Sequence, residues 1–360
     1  MLDSDVAKSV IKAPLDGKPA EDASESDIAL GKRFFNYKTL ISFAIAFGLL
    51  YLLMRNVHMD IGATFATIRR ANLGLYAIGF VIYYAGFVAR GWRWQRMLAN
   101  AGGAESEGKH PASVMRLAQI IYVSWFANCL VPAKLGDVIR GYMLKRDVSV
   151  RFMKGMGTIL AERVLDLAVL LALLAVSGIV TMREMLPPEV SSALELGFAL
   201  VGLAALGLLL LRHLDSLVRR FLPERFRERY ARFHEGIMGS FRSLPFILGL
   251  TLLIWLSEAA RLIFVSWSLG VHVADNPSTE VLMLVFIALA SAALTALPVT
   301  PGGLGLVEVL IVNAFAWSAA ASGAHIANEV AWSVAILDRS ISYGSIVLLG
   351  FVVYLISRRR

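Results

Sequence analysis

Charge is scarce in this chain. Of its 360 residues, 17% are Asp, Glu, Lys or Arg, against roughly 25% in an ordinary soluble domain. With a mean hydropathy of +0.65, that deficit excludes a soluble globular protein. Cysteine is nearly absent too. The single Cys129 permits no internal disulfide, and with six scattered histidines no Cys/His metal framework forms; Cys129 is expected as a small packing residue. Short alternating segments are missing, which excludes a β-barrel. There is no G-x-x-x-x-G-K-[ST], no H-E-x-x-H and no G-x-S-x-G, so phosphate-loop ATP hydrolysis, zinc proteolysis and serine-hydrolase chemistry find no support. No cofactor or metal is expected. Residues 1–36 lack the apolar core of a signal peptide and read as a disordered cytoplasmic tail. The Asp3-Ser4-Asp5 run within that tail reads as a chance match to a metal-binding motif.

What the chain does have is long apolar runs. They fall at about 37–54, 73–92, 117–131, 157–182, 193–211, 244–270, 281–299, 304–320 and 331–356. Several reach the ~20 residues a helix needs to cross a bilayer, which predicts an all-α polytopic membrane protein. The net charge of +8 sits mainly in loops, where it sets topology and meets anionic lipid rather than nucleic acid. The 212–242 connection carries eight arginines, and 145–154 holds Lys145, Arg146, Arg151 and Lys154. Both segments, and both termini, are therefore expected in the cytoplasm. The 271–280 and 319–330 loops have no Lys or Arg and are expected outside.

That orientation creates a parity problem. The basic segments 90–116 and 145–154 both belong inside, yet 117–131 is short and its return leg Val138–Leu144 is shorter still. A re-entrant hairpin solves it. Pro132 breaks the helix and Gly136 permits the bend. Non-helical backbone at that depth survives only inside protein or beside a wet cavity. A second break follows at 297–309, "LPVTPGGLGLVEV", with Pro301, Gly302, Gly303 and Gly305. "PAKLGDV" (132–138) matches "PGGLGLV" (301–307), and each is followed by an apolar span opening with an acid–arginine pair, Glu162-Arg163 and Asp338-Arg339. The expected architecture is a single transmembrane domain, 37–360. It has about six full spans plus two re-entrant helical hairpins in an inverted repeat, with halves at about 114–182 and 281–356. Inverted repeats with broken helices meeting near the midplane favour alternating access.

Charges within or against these spans need a reason, because each costs roughly 2.5–3.5 kcal/mol at the bilayer centre. They are Lys134, Asp137, Arg140, Glu162, Arg163, Asp166, Glu258, Arg261, Glu308, Asp338 and Arg339. Spacing of three suggests local pairing of Glu258 with Arg261 and of Arg163 with Asp166. The remaining guanidinium groups suit phosphate. The "VARGWRWQRML" segment (88–98) interleaves Arg90, Arg93 and Arg96 with Trp92 and Trp94 and reads first as an interfacial anchor.

The motifs "NCLVPAKLGDVIRGYML", "ERVLDLAVLL", "LPVTPGGLGLVEVLIV" and "LDRSISYGSIVLL", in that order, resemble the flippase-like family of bacterial integral membrane proteins. That family includes the transmembrane region of lysylphosphatidylglycerol synthases and hopanoid-associated members. The resemblance covers roughly 37–357 and implies a multi-pass protein of the bacterial inner membrane that moves a lipid, or a lipid-linked headgroup, between leaflets. The sequence ends at Arg360, so the aminoacyl transfer of the synthase branch is not expected of it. Substrate-binding residues are expected to be Lys134, Asp137, Arg140, Glu162, Arg163, Glu308, Asp338 and Arg339, with Glu258, Arg261 and Asp166 behind them. The expected partners are membrane lipids (phospholipid, polyprenyl-phosphate or hopanoid-type), with a separately encoded synthase or glycosyltransferase as a further candidate. Two other readings stay open. One is an intramembrane transferase with Glu162 or Asp338 as general base; the other is a noncatalytic membrane partner of a lipid synthase.

Overall fold

A computed structural model describes residues 60–102, 112–130, 135–182, 188–213, 215–296, 300–321 and 326–357. The expected N-terminal tail and the first apolar run therefore lie outside the described residues, as do Pro132 and Lys134.

Helices are the only regular structure among the described residues. The first is the short α1 (Ile61–Arg69), capped by Asp60, whose Oδ1 accepts from Ala63 N at 3.0 Å. Next come α2 (Leu73–Asn100), α3 (Val114–Leu130), α4 (Gly136–Val148), α5 (Phe152–Met182) and α6 (Pro188–His213). The short α7 (Asp215–Phe221) leads into the arginine-rich α8 (Glu224–Ser240), which passes through a 3₁₀ turn into α9 (Leu244–Ser268). After it run α10 (Pro277–Ala296), α11 (Leu306–Ala321), α12 (Asn328–Arg339) and α13 (Ser345–Ser357).

Six helical stretches are long and apolar enough to cross a membrane: Leu73–Asn100, Phe152–Thr181, Glu224–Ser268, Pro277–Thr295, Pro301–Ser318 and Asn328–Val352. Four of them coincide with expected full spans. The other two are the arms of the expected second hairpin, at 19 and 18 residues, so each has the length of a crossing. Within α6, the apolar part is the shorter Glu195–Gly207. Valines and leucines on several helices point outward, among them Val81, Val176, Leu203, Leu253 and Leu348. In water such a surface would drive aggregation; in hydrocarbon it is the solvated face.

The most extensive helix contact is between α2 and α9, and α2 also packs on α3. Tyr83, Phe87, Trp94, Phe315 and Trp332 fill the centre. Around that centre the chain breaks twice. In the first break α4 packs back on α3: Gly136 N donates to Asn128 Oδ1 at 2.9 Å. A side chain on Gly136 would put Cβ 2.2 Å from the Ser124 carbonyl oxygen, so this approach admits only glycine. The return leg runs to Val148, past the apolar stretch, because Lys145–Val148 continue the helix. At 1.5 Å per residue α3 and α4 span only about 25 and 20 Å, short of the ~30 Å hydrocarbon core. Gly136→Leu is expected to cost about 1–3 kcal/mol by overpacking, read as a lower melting midpoint in detergent; an unchanged midpoint would contradict the close approach.

In the second break a 3₁₀ turn, Pro301–Gly303, joins α10 to α11. Gly302, Gly303 and Gly305 have φ of +59°, +73° and +84°, a region that other residues enter at a cost. Glu308 caps the start of α11, its Oε2 accepting from Gly305 N at 2.7 Å.

Candidate functional site

The two breaks meet. Tyr343 lies in a π-helical turn, Ser340–Gly344, between α12 and α13. Its ring lies so close to Gly302 that a Cβ there would sit 2.7 Å from Cε2, and its hydroxyl donates to Cys129 O at the end of α3, at 3.3 Å. A π turn leaves carbonyls without their usual helical donors, and such turns concentrate at functional sites. Hydroxyls from α2 and α3 answer them here: Tyr83 donates to Ser342 O and Tyr122 to Ser345 O, both at 3.3 Å. Tyr76 and Tyr84 pair with the Ser340 and Ser345 hydroxyls, each at 2.7 Å.

Three groups of ion pairs tie the helices to one another. The first lies where α2, α4 and α5 converge. Glu162 is clamped by two guanidiniums, Arg93 Nη2 at 2.8 Å on one oxygen and Arg140 Nη2 at 2.6 Å on the other. Arg93 also donates to both oxygens of Asp166, at 2.5 and 3.1 Å, and to Thr251 Oγ1 at 2.9 Å. Arg140 stacks on Trp94 with Cζ 3.8 Å from the ring centre, and both arginines are 1% exposed. At the edge of this group Arg163 grips Asp137 with two hydrogen bonds, 3.0 and 2.5 Å, and remains partly exposed.

The second group links α2, α9 and α12. Arg90 Nη2 donates to Glu258 Oε1 at 2.6 Å, and Arg261 Nη2 lies 3.6 Å from Glu258 Oε2. The other Arg261 terminal nitrogen lies 3.3 Å from Asp338 Oδ2. In the third group Arg339 Nε donates to Glu308 Oε1 at 2.9 Å, and Nη2 to the Gly302 carbonyl at 2.7 Å. The acid–arginine pair of α12 thus points two ways, Asp338 to the α2–α9 interface and Arg339 to the second break.

Several residues fall elsewhere than spacing alone suggests. Arg90 and Arg93 are not interfacial anchors: both are buried and hold two of the three groups together, while Trp92 and Arg96 face outward. The inward positions 90, 93, 94, 97 and 98 follow a helical period, and that was the available signal. Asp166 pairs with Arg93 rather than with Arg163, whose partner is Asp137. A neighbour three residues along a helix contributes only a few tenths of a kcal/mol, so a better-aligned partner on another helix prevails. Glu258–Arg261 is a segment of a longer chain, not an isolated pair. The guanidiniums, too, are already matched. Arg90, Arg93, Arg140, Arg163, Arg261 and Arg339 stand against Asp137, Glu162, Asp166, Glu258, Glu308 and Asp338, giving a charge-balanced set rather than a basic one.

Residues 39–350 match the family described as the lysylphosphatidylglycerol synthase TM region. The chain belongs to that family. It is similar to a UPF0104 membrane protein of Methanocaldococcus jannaschii, 33% identical over 65% of this chain and 95% of the relative. A UPF0104 membrane protein of Pyrococcus horikoshii is 22% identical over 82% and 91%. Glycosyltransferase AglD of Haloferax volcanii is 26% identical over 72% of this chain but only 46% of its own length. These relatives are archaeal, so they lend no support to a bacterial origin. This synthase-TM-family chain is a multi-pass membrane protein whose breaks and buried ion pairs all lie inside the matched region.

Proposed function

We propose that this protein translocates a phosphate-bearing lipid headgroup between leaflets, as a flippase or scramblase, with the tails remaining in the bilayer. The observation that carries this reading is the meeting of two helix breaks at Tyr343 in a protein whose internal ion pairs draw on six different helices. Buried salt bridges add little net stability, since desolvation consumes most of the attraction. Six such pairs are poorly explained as scaffolding alone. They suit exchange: a guanidinium paired with a carboxylate can take a phosphate instead, at little change in net charge.

In this reading the two breaks are re-entrant hairpins of an inverted repeat, entering from opposite faces, with both termini in the cytoplasm. Asp137, Arg140, Glu162, Arg163, Glu308, Asp338 and Arg339 line the headgroup path. Similarity to Glycosyltransferase AglD keeps a sugar-bearing headgroup among the substrates to test. A transferase role for Glu162 fits the geometry less well, because arginines engage both of its oxygens.

The test is a proteoliposome assay with headgroup-labelled phospholipid and an external quencher. Purified protein should expose the inner-leaflet label far faster than empty vesicles do. Equal rates for every phospholipid and polyprenyl phosphate tried would end the proposal.

A further inference from the structure

Of the six carboxylates in these three groups, Asp338 is set apart. Glu162, Asp166 and Asp137 each use both oxygens to accept from arginine. Glu308 accepts from Arg339 and from Gly305 N, and Glu258 from Arg90. Among the described residues, Asp338 Oδ1 has no hydrogen-bond partner, although the residue is only 1% exposed. Oδ2 has Arg261 Nη1 at 3.3 Å, and that nitrogen makes no hydrogen bond either. Ser342 Oγ, in the π turn that follows, is likewise buried and unpartnered. A buried carboxylate with a vacant oxygen pays the full cost of desolvation with half of its usual compensation. The remedy that needs no rearrangement of neighbours is a proton.

Charge balance says when the proton should come. The buried set is neutral with Asp338 ionised, and a phosphate headgroup entering it brings one negative charge. Excess charge at membrane depth is costly. Protonating Asp338 adds the compensating positive charge and frees Arg261, the guanidinium of this set whose two carboxylate contacts, at 3.6 and 3.3 Å, are both long, to meet the phosphate. We infer that Asp338 is a proton-binding site coupled to headgroup entry, taking up one proton per phosphate monoanion. This rests on the translocation reading and supplies its coupling ion. The step is a simple protonation: the carboxylate takes H⁺ from water to become the acid, and gives it back when the headgroup leaves. The charged groups facing Asp338 are Arg261 and Glu258 from α9, Glu308 from α11 and Arg339 beside it on α12; Arg90 and Tyr83 of α2 stand behind Arg261. Protonating Glu162, Asp166, Asp137 or Glu308 would displace a direct hydrogen bond, and Glu258 stands between two arginines, Arg90 and Arg261; among the described residues Asp338 is the carboxylate of the set with no direct hydrogen bond to lose.

Two measurements test this separately from translocation. Infrared difference spectra of the purified protein should show a carboxylic-acid carbonyl band that grows as pH falls and is missing in Asp338→Asn. A band that persists in Asp338→Asn, or none in the wild type, overturns the assignment whatever the lipid assay shows. In proteoliposomes the wild-type rate should fall about tenfold per pH unit once the protonated fraction becomes limiting, whereas Asp338→Asn, at whatever rate it retains, should be flat with pH. A wild type that moves lipid with no pH dependence removes the coupling and leaves translocation standing. A titrating Asp338 band in a protein that moves no lipid leaves the proton site standing and removes the translocation reading.

Discussion

Truncating Glu162 to alanine should lower stability by about 3–5 kcal/mol, the usual consequence of removing one member of a buried ion pair. The reason lies in what is left behind. Arg93 and Arg140 both lose their hydrogen bonds to it. Arg93 keeps Asp166 and Thr251, but among the described residues Arg140 keeps only its stacking on Trp94. An unpaired guanidinium in that position has neither water nor a counter-ion. The check is the unfolding midpoint in detergent against wild type, with Glu162→Gln beside it; the amide can still accept from one arginine, so its loss should be smaller. A loss below about 1 kcal/mol for the alanine variant would mean that the cluster is hydrated and the burial does not hold in the membrane.

The second large effect is on activity and is designed to spare the fold. Removing Arg339 alone would strand Glu308. Replacing both, Arg339→Met with Glu308→Gln, removes a cation and an anion together and leaves an amide oxygen to accept from Gly305 N, in place of the carboxylate contact at 2.7 Å. Paired replacement of buried ions is often neutral for stability, so the double variant should melt close to wild type. Its translocation rate should nonetheless fall by roughly ten- to a hundredfold, the equivalent of one charge-assisted hydrogen bond to phosphate at about 1.5–3 kcal/mol. A folded double variant with wild-type flipping would show that this pair only ties α11 to α12.

Much of the architecture can be read along the chain, because membrane residence and helix breaking are local properties. Twenty apolar residues in a row can do little else in a bilayer than form a helix, and prolines and glycines interrupt helices wherever they fall. The breaks at 132–136 and 301–305 are visible on those grounds, and the acid–arginine pairs that follow them stand out because charge is expensive at membrane depth. The second pair of arms was legible in length as well, about 281–299 and 304–320 in the sequence against Pro277–Thr295 and Pro301–Ser318 in the structure, because apolarity too is read residue by residue. Arg90 and Arg93, by contrast, were misleading. Beside two tryptophans at a helix end they look like headgroup anchors, and nothing nearby in the chain contradicts it: their carboxylate partners lie 168, 69 and 73 residues away.

From the sequence alone it follows that this protein lives in a membrane as helices, where those helices break, and which charged residues need an explanation. Only the tertiary structure decided which charge answers which, that the set is balanced rather than basic, and that Asp338 has an oxygen without a partner among the described residues. Ion pairing at membrane depth acts strongly over a few ångströms and depends on alignment. Partners are therefore chosen by how helices cross, not by their spacing along one of them.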